Sequence, residues 1–225
     1  MRLLAVDAST WWGAAALLEV HEGTPRLVAE IGAHVEGSHA ARLLPLVEGL
    51  LATAGWPRTS LDAYAAVRGP GSFTGIRVAL GLMSGLALVT ERPCVGVGTL
   101  HAMAEAYGPA AGDRVPLLDA GRGEVYGARF AAGGSPPDVL RPAWVGAPAL
   151  ALEPGVDLVV FGGGAHVHER CLREAGYAAP IGCAPTSVAA AAGRIALARL
   201  AAGLVDPGEM TPLYVRPADA EVRFL

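Results

Sequence analysis

Arg68-Gly69-Pro70-Gly71-Ser72-Phe73-Thr74-Gly75-Ile76-Arg77 is the stretch on which the reading of the fold turns. Its glycines and proline interrupt regular structure, while Ser72 or Thr74 can cap a helix. Before it, Leu61 to Val67 reads as a strand; after it, the chain stays apolar to about Thr90, just ahead of Pro93, and reads as a helix. The stretch lacks the G-x-x-x-x-G-K-[ST] order of a phosphate loop and has no lysine to neutralise charge. A structural role is therefore expected, with Gly71 and Gly75 permitting close backbone approach and Phe73 anchoring the helix.

Working outward, Arg2 to Val6, Asp7-Ala8-Ser9-Thr10 and the apolar run Ala14 to Val20 predict a hairpin. Arg26 to Val35 predicts a third strand, with Leu27, Ala29, Ile31 and Ala33 on one face. Gly37-Ser38 ends it, and Ser38 is placed to cap a helix carrying Leu43, Leu44, Val47, Leu50 and Leu51. Cys94 to Val97 is a further strand, and Thr99 is placed to cap a helix to about Tyr107. Gly108 to Gly112 then marks a boundary, giving lobes over 1–107 and 108–225. The second lobe repeats the opening: strand Val115 to Asp119, turn Gly121-Arg122-Gly123, strand Glu124 to Phe130. Residues 131–154, rich in Gly, Pro and Ala, are expected to be loop with short strands. Asp157 to Phe161 reads as a buried strand ending at Gly162-Gly163-Gly164. Helices from Ala165 to Glu174 and Ser187 to Gly203 follow, and Pro212 to Arg216 is extended.

Among 225 residues with 52% apolar composition there is material for one large core or two modest ones, which excludes disorder. All 17 basic residues are arginine; lysine is absent, which removes Walker lysines, Schiff bases and lysine phosphate clamps. The arginines form no stripe and the net charge is -4, so any contact with RNA is expected through a partner. Cys94, Cys171 and Cys183 are widely spaced and suggest buried thiols in a reducing compartment. Asp7 breaks the opening apolar run, so it reads as a strand and not as a signal peptide. The run Val78 to Thr90 is interrupted by Gly81, Ser84 and Gly85, so no bilayer-spanning stretch is read.

At Asp7-Ala8-Ser9-Thr10, Gly69 to Arg77, Asp119-Ala120-Gly121-Arg122-Gly123-Glu124-Val125-Tyr126 and Pro212-Leu213-Tyr214-Val215-Arg216, the chain resembles the TsaB (YeaZ) family over nearly its whole length. The resemblance implies an α/β fold of the actin-like ATPase (ribonuclease H-like) type with two related lobes, in the bacterial cytoplasm. It implies a non-catalytic dimerisation subunit needed, with the paralogue TsaD and the ATPase TsaE, to transfer a threonylcarbamoyl group to adenosine 37 of tRNA. tRNA would be met only through the complex, and the chain alone would be a monomer or a homodimer. The interface implied lies on two helices, at Leu43, Leu44, Val47, Ala79, Leu82, Met83 and Leu86.

In the actin-like superfamily an acidic hairpin turn sits near a nucleotide's phosphates in each lobe. Asp7, Ser9, Thr10 and Asp119 occupy those places, and Gly162, Gly163 and Gly164 stand where a sugar or adenine would lie. Two readings follow for the acidic turns: a cradle for ATP or ADP and magnesium, or a retained fold signature in which each aspartate caps its own turn. The second is expected, with no cofactor required and any nucleotide weakly held at the complex interface; Trp11-Trp12 would also crowd a phosphate. For the glycine triplet, ligand backbone and tight turn remain equal alternatives. The metal-binding H-x-x-x-H of catalytic TsaD is replaced by His101-Ala102-Met103-Ala104-Glu105, so no metal site and no catalysis by this chain are expected. No H-E-x-x-H or G-x-S-x-G is present. The competing functions are an independent enzyme of this fold, either a small-molecule kinase or a glycoprotease-like peptidase, and a homodimeric regulator.

Overall fold

A computed structural model describes residues 1–35 and 39–216, without the side chains of His39 and Pro207. The expected cap at Ser38 lies outside the described residues. β1 (Arg2–Asp7), β2 (Trp12–His21) and β3 (Thr24–His34) form an antiparallel meander. After α1 (His39–Ala54), β4 (Ala63–Val67) returns parallel to β1, and after α2 (Phe73–Thr90), β5 (Cys94–Val97) lies parallel to β4. The order is β3-β2-β1-β4-β5. The central strands are buried on both faces, which is why β4 is the unbroken run Ala63-Tyr64-Ala65-Ala66-Val67.

α3 (Thr99–Tyr107) leads to a second sheet of β6 (Asp113–Gly121), β7 (Glu124–Phe130), β8 (Val139–Gly146) and β9 (Leu158–Phe161), in the order β8-β7-β6-β9. Its meander and parallel fourth strand repeat the first sheet, so the fold is the actin-like α/β arrangement expected. α4 (Gly163–Val167), α5 (Glu169–Glu174) and α6 (Ala189–Ala201) follow. One expected helix is thus two, broken at His168, where φ is -107° and ψ 22°. Within residues 131–154, expected to be loop with short strands, β8 runs for eight residues and contains Pro142, which an edge strand tolerates.

Alternation along the first sheet divides two cores. Leu4, Val6, Ala15, Leu17, Tyr64 and Ala66 pack under α1 and α2. Leu3, Ala5, Ala14, Ala16, Leu18, Ala63, Ala65 and Val67 face α3 and α6. Alanines on that second face let α6 approach closely: a Cβ on Gly193 would stand 2.3 Å from Leu18 Cδ1. α6 follows the second sheet in the chain yet packs on the first, so α3 and α6 lie between the two sheets. Arg114, fully buried on β6, ties this junction, donating to the carbonyls of Ala104 and Gly108 at the end of α3 and of Ala131, Gly133 and Gly134 after β7.

Candidate functional site

Asp7 ends β1 with only 3% of its surface exposed. Its Oδ1 accepts from the Ser9 amide at 2.8 Å, and Thr10 Oγ1 accepts from the Trp12 amide at 3.1 Å. The Ser72 amide donates to Ser9 O at 2.7 Å, and a Cβ at Gly71 would stand 2.2 Å from that oxygen. The glycine-rich stretch is thus laid directly on the first hairpin turn. Ser72 supplies the cap of α2, accepting from Gly75 N at 3.2 Å. Burial pushes the Asp7 carboxyl up to about 6, against the opposing hydrogen bond from the Ser9 amide.

A cleft of about 210 Å³ opens between the sheets beside this turn, lined by Asp7, Ser9, Thr10 and Gly163 together with Thr99, Met103, Leu118 and Val188. Thr99 was expected to cap α3. The cap is Gly98, and the Thr99 hydroxyl is buried without a partner among the described residues. Asp119 and Gly162 and Gly164 do not line the cleft. Asp119 caps its own exposed turn, accepting from Gly121 N at 3.1 Å, and its Oδ1 meets His168 Nε2 at 3.1 Å. Cβ atoms on Gly162 and Gly164 would stand 2.5 Å from Leu117 O and Leu118 C, so both are glycine because α4 sits against the backbone of β6. The tight-turn reading accounts for these two. Phosphates are poorly matched to the cleft: among the described residues no arginine lines it, a carboxylate does, and the Ser9 and Trp12 amides already have acceptors. Trp11 and Trp12 do not crowd it, since Trp11 is 75% exposed and Trp12 packs against β3 at Gly32.

Sequence reasoning missed Thr99, Met103, Leu118 and Val188 because they come from elements that meet only in the folded chain. His101 and Glu105, one helical turn apart, are each engaged elsewhere. His101 Nε2 lies 3.0 Å from Pro137 O, and Glu105 holds Ser135 and Arg194. Arg77 is exposed on α2, stacked 3.9 Å over Phe73, and donates to the Tyr214 hydroxyl at 3.0 Å.

The expected helical interface needs correction. Leu43, Val47, Ala79 and Met83 belong to this chain's own core, at 1% exposure or less. Leu44 is exposed, and Leu82 and Leu86 are half-buried. The outer surface of α2 instead carries Arg77, Gly81, Gly85, Leu88 and Val89, the last two 81% and 83% exposed. Among the described residues nothing stands within 4 Å of where a Cβ would be on Gly81 or Gly85. Beside it, α1 exposes Ala41, Leu44, Pro45, Gly49 and Ala52. By length and composition α2 is apolar enough to cross a bilayer, yet Ile76, Ala79, Leu80, Met83 and Ala87 are packed on the sheet.

Residues 33–155 match the family model described as TsaD, tRNA N6-adenosine threonylcarbamoyltransferase. The tRNA threonylcarbamoyladenosine biosynthesis protein TsaB of Escherichia coli is 42% identical over 135 residues, 58% of this chain and 55% of that protein. The chain thus spans about half the length of the curated TsaB relatives it matches. An uncharacterized protein of Mycobacterium tuberculosis is 31% identical over 97% of this chain and 93% of its own length. The solved structure of YeaZ from Pseudomonas aeruginosa superposes with a TM-score of 0.75 at 30% identity, covering 95% of this chain and 99% of that one. With the repeated sheets, the glycine-rich stretch laid on its hairpin and these likenesses in agreement, the chain belongs to the TsaB/YeaZ family.

Proposed function

We propose that this chain serves in forming threonylcarbamoyladenosine in tRNA as a non-catalytic subunit that pairs with a TsaD-type paralogue through the outer faces of α1 and α2. The observation that carries the reading is the bare stripe Gly81, Gly85, Leu88 and Val89 on α2, apolar and free of bulk at its centre. Such a surface lets a second helix pack at close range and is expensive to leave in water. A TsaE-type ATPase completes the assembly in the cytoplasm, tRNA is held by the partner, and the same stripe supports a homodimer when the partner is absent. No nucleotide is required by this chain, and any ATP or ADP with magnesium would be weakly held at the shared interface.

The test is product formation from tRNA, ATP, bicarbonate, threonine and the other pathway proteins, with and without this chain and with it replacing the TsaD-type protein. Product is expected only when both are present. Undiminished product in its absence, or product with this chain alone in the TsaD role, would overturn the reading and favour an independent enzyme. Gly85→Arg is expected to abolish association in sedimentation while the chain stays folded, because its Cβ position is open. Ala79→Arg is unsuitable, since it would disrupt the core before it touched a partner.

A further inference from the structure

A separate cavity of about 180 Å³ lies between the sheets behind Gly69-Pro70, bounded by the chain segment after α6. That volume has room for roughly six waters. Leu100 of α3, Phe130 and Val139 of the second sheet and Leu213 of the C-terminal segment give it apolar walls, and Arg68 and Arg199 supply its cationic groups. His101 in the wall stacks on Phe130 at 5.1 Å between centroids. Burial and the neighbouring Arg199 push its pKa down to about 4, so it adds no charge at neutral pH.

The arginines differ. Arg199 is neutralised by Glu209, with Nη1 2.9 Å from Oε2, and also donates to Gly96 O at 3.0 Å. Arg68 is half-buried, and its recorded bond is one from Nη1 to the Glu209 carbonyl at 2.9 Å, with no carboxylate paired to it among the described residues. With Arg199 and Glu209 cancelling, the cavity keeps one positive charge, on the half-buried Arg68 guanidinium, and that calls for one anion. A dianion would bring one negative charge more than Arg68 can offset, since Arg199 is already paired with Glu209.

We propose that this cavity binds a small monocarboxylate with a compact apolar body, its carboxylate on Arg68 and its body against Leu100, Phe130 and Leu213. The proposal is independent of the partner reading, since the cavity lies away from the outer face of α2.

Benzoate is the probe, titrated into the whole chain at about pH 8.5 and followed by NMR, with benzamide as the uncharged isostere and inorganic phosphate, a dianion at that pH, as the doubly charged control. Saturable benzoate binding is expected, with benzamide and phosphate weaker by about tenfold or more. Arg68→Gln should lose about tenfold in benzoate affinity, as a charge-assisted contact becomes a neutral one. Because Arg68 also holds Glu209, Val139→Asp provides a second arm: Val139 is 52% exposed on the cavity wall, so a carboxylate there should repel benzoate without unfolding the chain. Equal binding of benzamide, unchanged affinity in Val139→Asp, or no saturation by about 50 mM benzoate would overturn the proposal.

Discussion

The two hairpin turns share one local device in two environments. Asp7 accepts from the amide of Ser9 and Asp119 from that of Gly121, each two residues on. The first turn lies under the glycine-rich stretch, and Asp7 is buried. The second projects from β6 and β7, with Asp119 exposed beside His168. The turn chemistry is set by neighbours in sequence, but the electrostatics are set by what folds over it. Burial raises the pKa of Asp7.

The largest effect separating the turns is expected from two glycines, Gly71 in the stretch laid on the first turn and Gly121 within the second. At Gly71, φ is +151° and a Cβ would stand 2.2 Å from Ser9 O, a backbone atom that cannot swing away. Gly71→Ala should cost about 4 kcal/mol or prevent folding, while Gly121→Ala, at φ +70° but in open space, should cost about 1 kcal/mol. Urea midpoints of the pair measure this; equal costs would mean that the glycine-rich stretch does not bear on the first turn.

Next comes the pH dependence of stability. The Asp7 carboxyl is raised in the folded chain, so its contribution is most favourable below the ordinary value of 3.8 and is lost as pH rises through about 6. From 3.8 to about 6, at roughly 1.4 kcal/mol per pH unit, the loss is about 3 kcal/mol. Asp7→Asn keeps an oxygen for the Ser9 amide and removes the ionisation. It should therefore flatten the fall in stability between pH 4 and 7 by about that amount and be more stable than the parent at pH 7. Denaturant unfolding across that range checks it, and an unchanged pH profile would locate the ionised carboxylate in water.

The same contrast explains what was legible in the sequence. Both hairpins, the helix after the glycine-rich stretch and a cap at Ser72 or Thr74, of which Ser72 is the one formed, were readable because each rests on residues a few positions apart. The return of α6 onto the first sheet was not, because a short helix beginning with a run of alanines shows no direction of packing. Thr99, Met103 and Val188 could not be assembled into a cleft without that return. On α1 and α2 the interface expected from the family resemblance includes Leu43, Val47, Ala79 and Met83, but a helix on a sheet turns its apolar stripe inward, and these four lie on it. The outward face is marked by what it lacks, at Gly49, Gly81 and Gly85. β8 was obscured by Pro142, a residue an edge strand accepts.

The smallest effect is expected at the exposed turn. Asp119→Ala removes an amide hydrogen bond and the contact with His168, whose partner side chain is 47% exposed, so water replaces much of what is lost. The cost should stay below about 1 kcal/mol. Asp7→Ala would instead leave the buried Ser9 amide without its acceptor, a loss of about 1–3 kcal/mol, offset at pH 7 by relief of the buried charge. Comparing the two at pH 4, where that relief is small, isolates the hydrogen bond. There Asp7→Ala should be the more damaging, and the gap should narrow or reverse at pH 7. Parallel losses at both pH values would mean that the turn alone sets the energetics and that the covering stretch contributes only shape.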